Sequence, residues 1–270
     1  MNQTSHYHRY DYRVLSAGID SLYLVLSIVL KKNKLKDLLL DLNVQFSRAS
    51  SLHEPQEFKL SCKKYKDPLI MKLKHHGNAN YQYLLKSPDY LVMISTNQDS
   101  KYNVYIQIRS MTLWTLGYKN AVEIILNYLS SYAYPSITKQ VSRSDLCADL
   151  EIPEEDWLAL KDDSIVCPTS KITLHKNKST GEVETISAGK GRIRISIYDK
   201  VREIKEHSDK KWMFEVWGVK EPRPGYRIIR VEFRIRSDGL KSFGINSLDE
   251  FYEAVDALWT YLTNNWFKIL

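Results

Sequence analysis

The chain has 270 residues, of which 39 are Lys or Arg and 32 are Asp or Glu, so its formal net charge is +7. Hydrophobic residues make up 43% and charged residues 26% of the sequence, a balance that excludes collagen-like and intrinsically disordered classes. This length allows one large domain or two small ones. The 18 Tyr residues and the basic charge together suit either a nucleic-acid-binding surface or a sheet with half-exposed faces.

Cysteine content and hydropathy indicate the compartment. Three Cys residues without a CxxC pair predict neither a disulfide framework nor a zinc ribbon, and free thiols are typical of a reducing compartment. The longest apolar run, residues 22–30, is too short to span a bilayer. We therefore expect a cytoplasmic protein that does not contact a membrane.

An internal repeat organises the chain. Residues 103–132 resemble residues 230–261 at an offset of 127, and each segment reads as a strand, a turn and a helix. The segments share a glycine, an N-cap residue and a glutamate at matched positions, namely Gly117 with Gly244, Asn120 with Ser247 and Glu123 with Glu250. An N-cap residue followed three positions later by Glu is the capping-box pattern. It predicts helices over 121–133 and 248–266.

A second correspondence lies upstream, where residues 18–22 resemble residues 143–147 at an offset of 125. Together the two correspondences predict an α+β protein made of two pseudo-repeated halves, residues 1–135 and 136–270. Each half is expected to be an antiparallel sheet backed by helices.

Three strands of the second half, over 143–150, 192–200 and 228–236, each combine an apolar face with a charged one. Side chains alternate between the faces of a strand. The charged faces carry Arg143, Asp145, Cys147 and Asp149 on the first strand, Arg192, Arg194, Ser196, Tyr198 and Lys200 on the second, and Arg230, Glu232, Arg234 and Arg236 on the third.

If these strands are neighbours, Asp145, Asp149 and Glu232 converge, and clustered carboxylates repel one another unless cations neutralise them. Two readings of the cluster stay open. Arginines could neutralise it as a surface lattice of ion pairs, or a hard divalent cation such as Mg²⁺ or Mn²⁺ could do so. Tyr198 is likewise either a packing residue or, beside a metal, a nucleophile.

The first half lacks most of this acid set. The repeat places Tyr105 at the position of Glu232 and Leu24 at the position of Asp149, and only Asp20 retains an acidic counterpart, Asp145. We therefore expect the chemistry to lie in residues 136–270. Residues 1–135 are expected to supply fold support and a DNA-binding surface.

Three segments in order carry a resemblance to a known family. They are residues 142–149 (SRSDLCAD), 194–203 (RISIYDKVRE) and 230–234 (RVEFR). They resemble the replication initiation factor family, the Rep_trans-type rolling-circle initiators of plasmids and filamentous phages. In that family the strands read R-x-D-x-x-x-D, R-I-Y-[DN]-K-x-x-E and R-x-E-x-R. The middle segment here departs slightly, with Ile-Ser-Ile before Tyr198.

The resemblance implies a fold that is related to the HUH endonucleases and is TBP-like. It also implies an endonuclease activity that nicks and transfers one DNA strand at a replication origin. Tyr198 matches the family nucleophile and would form a 5′-phosphotyrosine intermediate, leaving a free 3′-hydroxyl. A divalent metal, Mg²⁺ or Mn²⁺, would be held by Asp145, Asp149 and Glu232. Arg194, Lys200 or Arg230 would hold phosphate oxygens or stabilise the phenolate.

Further predictions concern DNA and partners. The predicted DNA-binding residues are Arg143, Arg192, Arg230, Arg234, Lys190 and Lys176, and residues 171–178 with 189–192 are expected to form a basic hairpin. The expected partners are single-stranded or locally melted origin DNA, a host helicase, a polymerase, and a second copy in a possible homodimer. A host helicase is expected because the sequence has no helicase or ATPase motif. Two alternatives remain, a catalytically inactive DNA-binding relative and a basic RNA-binding or assembly protein.

Overall fold

The structure is a computed structural model that describes residues 11–30, 32–78, 80–97, 100–160, 165–169 and 171–269. Within these ranges the side chains of residues 30, 32–37 and 133–137 are also left undescribed. The sequence also has a basic cluster at residues 31–36 (KKNKLK), a candidate DNA-binding segment that lies outside the described side chains.

Eleven strands form one large antiparallel sheet in the order β2-β3-β4-β5-β6-β1-β7-β12-β11-β10-β9. Its strands are β1 (Arg13–Leu30), β2 (Gln56–Leu60), β3 (Leu69–Leu73), β4 (Tyr83–Lys86), β5 (Tyr90–Ile94), β6 (Val104–Ile108), β7 (Ala133–Pro153), β9 (Ile172–Lys176), β10 (Val183–Ala188), β11 (Ile193–Asp199) and β12 (Tyr226–Arg236). A second, two-stranded sheet pairs β8 (Ile165–Val166) with β13 (Lys268–Ile269).

The helices complete a mixed α+β fold in which the large antiparallel sheet is backed by helices, as the sequence predicts. They are α1 (Lys32–Leu52), α2 (Ser110–Leu116), α3 (Tyr118–Ser130), α4 (Glu154–Ala159), α5 (Lys200–Glu206), α6 (Met213–Trp217), α7 (Ser237–Ser242) and α8 (Leu248–Tyr261), with a π-helical turn at Leu262–Trp266. In the part of the chain that the structure describes, no helix has the length and apolar character needed to cross a membrane.

The chain divides into two compact units, and each is assembled from separate stretches of sequence. Unit 1 contains Met1–Gly18, Leu146–Phe233 and Trp259–Leu270, and unit 2 contains Ile19–Asp145 and Arg234–Leu258. The division at residue 135 is predicted from the sequence repeat, whereas these units are defined by compactness. The predicted division therefore stays a prediction.

In unit 2 the strands bury one face under helices and leave the other part-exposed. Along β1, Leu22, Leu24 and Leu26 are fully buried, whereas Tyr23 and Val25 keep part of their surface exposed. The helices lie on the buried face, where Phe46 of α1 meets the Tyr83 ring edge-on at 5.6 Å between centroids and Tyr90 donates a hydrogen bond to the Ala121 carbonyl at 2.9 Å. The apolar face of this sheet is therefore the core of unit 2.

The two segments that the sequence relates share a local path. Each has a strand followed by a short helix, a glycine with positive φ and a longer helix; the glycines are Gly117 (φ 75°) and Gly244 (φ 78°). Glycine adopts this left-handed backbone without the steric penalty that a Cβ imposes.

The capping-box prediction is confirmed at α8 and wrong at α3. At α8, the Glu250 amide donates to Ser247 Oγ at 3.1 Å, and the Ser247 amide donates to Glu250 Oε2 at 2.9 Å. Helix α3 begins earlier, at Tyr118 after Gly117, and Asn120 instead donates from Nδ2 to the Leu116 carbonyl. The close succession of α2 and α3 moves the helix start ahead of the polar residue that resembles a cap.

In unit 1 the apolar face of the sheet is covered by C-terminal residues. Phe233 of β12 meets the rings of Trp259 and Trp266 edge-on, at 5.8 and 6.1 Å between centroids. Ile195 and Ile197 of β11 are also buried. The opposite, polar face of these strands carries the candidate site.

Candidate functional site

The polar face of unit 1 follows the alternation predicted for β11. Tyr198 and Ser196 lie directly opposite Thr185 and Ser187 of β10 in the antiparallel register. Residues directly opposite in such a pair point to the same face, so the four side chains form one polar patch. Tyr198 keeps part of its surface exposed, as a nucleophile requires.

Tyr198 and Glu232 are brought together across neighbouring strands. The Tyr198 hydroxyl donates a hydrogen bond to Glu232 Oε2 at 3.1 Å. Because β11 and β12 are adjacent in the sheet, this pair rests on the backbone ladder and not on a loop. The carboxylate is within reach of the phenolic proton, the geometry that a general base needs.

Lys200 lies beside the same tyrosine but inside the protein. Its Nζ is 5.6 Å from the centre of the Tyr198 ring and donates to Glu203 Oε2 at 2.5 Å. Burial lowers the pKa of Lys200, with the Arg230 and Lys210 charges acting in the same direction. Only 1% of the residue is exposed, so the ammonium stabilises negative charge nearby rather than meeting a phosphate in solvent.

The turn from β11 into α5 holds Tyr198 in place. Asp199 is the N-cap of α5 and accepts a hydrogen bond from the Arg202 amide at 2.9 Å, the role for which aspartate is favoured. Burial raises the pKa of Asp199. The sequence Tyr-Asp-Lys therefore places a part-exposed phenol, a cap and a buried ammonium in succession.

Asp149 lies in a closed ion-pair network. Its Oδ1 accepts from Arg230 Nε at 2.7 Å, and its Oδ2 accepts from Arg230 Nη2 at 2.8 Å. The same Oδ2 accepts from Trp217 Nε1 at 2.8 Å and from Ser16 Oγ at 2.9 Å. Both Asp149 and Arg230 have no exposed surface. This setting does not fit the predicted role of Asp149 as a metal ligand, nor the predicted contact of Arg230 with phosphate or other parts of DNA.

Asp145 belongs to unit 2, where two arginines neutralise it. Arg143 approaches it with two donors, Nε at 2.8 Å from Oδ1 and Nη2 against Oδ2. Arg234 Nε is 3.6 Å from Oδ2. For Asp145 and Asp149, the arrangement is the arginine neutralisation that the sequence left open as an alternative to a metal.

The predicted metal site is tested by these environments. Within the described ranges, no group of three or more His, Cys, Asp or Glu side chains is placed to hold a metal ion. The three predicted ligands do not fit as a set, because Asp149 is already surrounded by four donors. Glu232 fits as a single carboxylate ligand, since Mg²⁺ is commonly held by one or two carboxylates plus substrate phosphates.

Three of the remaining predicted cations of unit 1, Arg194, Arg192 and Lys190, lie toward the start of β11, whereas Lys176 lies at the opposite end of the strands, where β9 ends. Arg194 is exposed and donates to Ser187 Oγ at 3.1 Å. Arg192, Lys190 and Lys176 are also exposed. The predicted hairpin forms in part: β9 and β10 pair in antiparallel register and the Gly181 amide closes their turn on the Asn177 carbonyl, but residues 189–192 connect β10 to β11.

Two residues of this region were missed by sequence reasoning. Glu203, the partner of Lys200, stands three residues after it, a spacing at which side chains meet on a helix, so the pair was open to prediction. Trp217 covers Asp149 from helix α6, and no local pattern links residues 68 positions apart.

Comparison with known proteins adds no relative: the chain matches no protein-family model, and no curated protein is significantly similar to it. The resemblance to rolling-circle initiators therefore stays a prediction carried by the three sequence segments.

Proposed function

We propose that the protein is a rolling-circle DNA replication initiator that nicks one strand at its origin through Tyr198. The observation that carries the proposal is the 3.1 Å hydrogen bond from the Tyr198 hydroxyl to Glu232. A phenol with an ordinary pKa near 10 is a weak nucleophile at neutral pH. A carboxylate that already accepts a hydrogen bond from the phenol can take its proton and so activate the oxygen for attack.

The reaction balances as a transesterification. Tyr198 Oη attacks the phosphorus, its proton passes to Glu232, and an O–P bond forms to the 5′ side of the cut. The P–O3′ bond breaks, and the 3′ oxygen leaves with the electron pair and takes a proton from water. The phosphodiester energy is kept in the 5′-phosphotyrosine, so the strand can later be rejoined, and the free 3′-hydroxyl suits a polymerase.

The nearby cations have different electrostatic roles. Lys200, 5.6 Å from the ring centre, stabilises the developing phenolate. Arg194 stands four residues before Tyr198 on the same face of β11, about 13 Å away at the ordinary rise per strand residue. It therefore contacts a flanking phosphate and not the scissile one, together with the exposed Arg192 and Lys190; the exposed Lys176 lies at the Tyr198 end of the strands.

Glu232 is the residue that would hold a divalent cation, Mg²⁺ or Mn²⁺. Such a cation, when bound, neutralises charge on the phosphate in the transition state. The attack, the proton transfer and the stabilisation of the phenolate are carried out by Tyr198, Glu232 and Lys200.

The finer fold assignment is part of the same proposal. We infer two pseudo-repeated halves of the HUH-endonuclease-like or TBP-like kind, supported by the strand, short helix, glycine and long helix that occur twice along the chain. The expected partners remain origin DNA, a host helicase, a polymerase and a second copy of the chain in a homodimer.

A covalent-adduct assay tests the proposal. Purified protein is incubated with Mn²⁺ and a panel of labelled single-stranded origin candidates, and adducts that resist denaturant are resolved on a gel. We expect wild type to form an adduct and Tyr198→Phe to form none. Glu232→Gln should slow adduct formation by about 10²- to 10⁴-fold, the usual contribution of a general base.

Tyr226→Phe is the matched control. Tyr226 is another part-exposed tyrosine of unit 1, and its hydroxyl also donates to a carboxylate, Asp11 Oδ2, at 3.0 Å. This variant should nick like wild type. An adduct formed by Tyr198→Phe would show that the nucleophile is another residue. No adduct from wild type across the panel would favour the inactive DNA-binding relative, which the arginine pairing of Asp145 and Asp149 already suits.

A further inference from the structure

The part-exposed face of the sheet in unit 2 carries a line of three tyrosine rings with an arginine at one end. It runs across Arg143 of β7, Tyr23 of β1, Tyr105 of β6 and Tyr81, which precedes β4. We refer to these four residues as the aromatic row. None of them belongs to the proposed nicking site in unit 1.

Consecutive members of the row are in contact. The Arg143 guanidinium lies over the Tyr23 ring, 4.8 Å from its centre. Tyr23 meets Tyr105 edge-on at 5.9 Å between centroids, and Tyr105 is followed by Tyr81 at 6.2 Å. The distances are typical of interacting rings, so the four planar groups form one contiguous row, with the tyrosine rings inclined to one another by 64° and 49°.

Neighbouring polar groups hold two members of the row, Arg143 and Tyr23. Asp145 binds Arg143 through two donors, and Gln107 Nε2 donates to the Tyr23 hydroxyl at 3.0 Å. All four members keep part of their surface exposed. A ligand that stacks on this surface does not have to order it first, which removes an entropic cost of binding.

A polar cleft of about 630 Å³ lies at the Tyr81 end of the row. Amide, hydroxyl and ammonium groups line it, including those of Gln82, Thr96, Lys101 and Tyr102. The Tyr102 hydroxyl is hydrogen-bonded to the oxygen of buried Gln140, whose Nε2 lacks a hydrogen-bond partner within the described structure. Amide donors and acceptors of this kind match the edges of a nucleobase.

The face around the row is basic. From Gln107, which lies opposite Tyr23, the strand register leads through Leu91 to Lys86 and Lys72. Both lysines are exposed. Cations beside stacked rings are the combination that binds single-stranded nucleic acid, because phosphates pair with the charge and each base offers a π-face.

We propose that the aromatic row and the adjoining cleft bind single-stranded DNA, with bases stacking on the row and one unstacked base entering the cleft. A duplex does not fit this surface, since its bases stack on one another and hide their faces. The choice of DNA over RNA rests on the proposed function; the stacking surface itself does not depend on nicking.

Fluorescence anisotropy with labelled dT20 tests the proposal, using the full chain with Tyr198→Phe so that no nicking intervenes. Adding Tyr23→Leu and Tyr105→Leu should weaken binding about 10- to 100-fold, since each base–aromatic stack contributes strongly to affinity. The Tyr23→Phe and Tyr105→Phe pair keeps the rings and should bind like the parent. Tyr81→Leu is a second variant whose dT20 affinity is measured; because Tyr81 lies at a turn, this substitution disturbs the sheet less.

Tyr118 and Tyr252 provide the matched control. They form another tyrosine pair in unit 2, 5.6 Å apart, with Lys119 beside both rings, but they lie on helices α3 and α8. Their Leu variants should leave the dissociation constant unchanged. Equal weakening by the two pairs, unchanged binding in both the row-pair and Tyr81→Leu variants, or tighter binding of duplex DNA would overturn the proposal.

Tighter binding of rU20 than dT20 would overturn the assignment to DNA. Failure of this proposal is separable from failure of the nicking proposal. If the row variants lose dT20 binding but the wild type forms no covalent adduct, only the nicking proposal is refuted. If the wild type forms adducts but the row variants bind dT20 normally, only the proposal for the row is refuted.

Discussion

Asp149 and Glu232 are both acidic side chains on the predicted polar strands, yet they have opposite environments. Asp149 is fully buried and accepts four hydrogen bonds, including two from Arg230. Glu232 is part-exposed and pairs with a tyrosine. A buried ion pair gains little net stability over apolar packing but becomes costly when one partner is lost. Asp149 therefore acts on stability, and Glu232 is the acid to which the proposed reaction assigns the proton transfer.

Asp149→Asn should lower the free energy of unfolding by about 3–5 kcal/mol, because it leaves the Arg230 guanidinium buried without a counter-charge. Urea denaturation followed by circular dichroism measures the loss. Glu57→Gln is the control, since Glu57 pairs with Lys59 at 3.2 Å on the exposed surface and should change little. A loss of similar size in both variants would contradict the distinction between the two pairs.

The two helices α3 and α8 show how an element can depart from its sequence signature. Both carry a polar residue followed three positions later by Glu, but only Ser247 caps its helix. At α3, Gly117 both ends α2 and begins α3, so the helix starts two residues before Asn120. The local pattern is necessary for a capping box but does not decide where a preceding helix ends.

Ser247→Ala should destabilise the protein by about 1 kcal/mol, the ordinary effect of losing an N-cap. Asn120→Ala should change stability by less than about 0.5 kcal/mol, because it removes only an exposed side-chain bond to the Leu116 carbonyl and introduces a good helix former. Midpoints of thermal unfolding compare the two variants. An equal loss from both would mean that Asn120 caps α3 after all.

The chain is organised as two compact units, each built from distant stretches. Unit 1 contains residues 1–18 as well as most of the second half of the sequence. Ser16 donates to Asp149, and Asp11 accepts from both Arg223 and Tyr226. Unit 1 is thus completed by a segment more than 100 residues upstream of Asp149.

Residues 136–270 expressed alone should not unfold cooperatively, because unit 1 then lacks the segment that contains Asp11 and Ser16. A urea titration of this fragment beside the full chain gives the comparison. A sigmoidal transition with native-like secondary structure in the fragment would show instead that the halves predicted from the repeat are independent folding units.

Local periodicity carried much of the prediction. Alternating apolar residues determine β11 and the face that holds Tyr198, because the two faces of a strand follow directly from a period of two. The spacing of Ser247 and Glu250 likewise determines the start of α8. The α+β class and the antiparallel sheet follow from the same local patterns.

The tertiary structure alone decided which polar residues are buried. Asp145, Asp149 and Glu232 look equivalent along their strands, but Trp217 of a distant helix closes over Asp149, while Glu232 stays within reach of Tyr198. The aromatic row likewise joins Tyr23, Tyr81, Tyr105 and Arg143 from four separate segments. Alternation is a local property of the backbone, whereas covering a face requires residues far apart in the chain, and their meeting is set by the packing of the whole sheet.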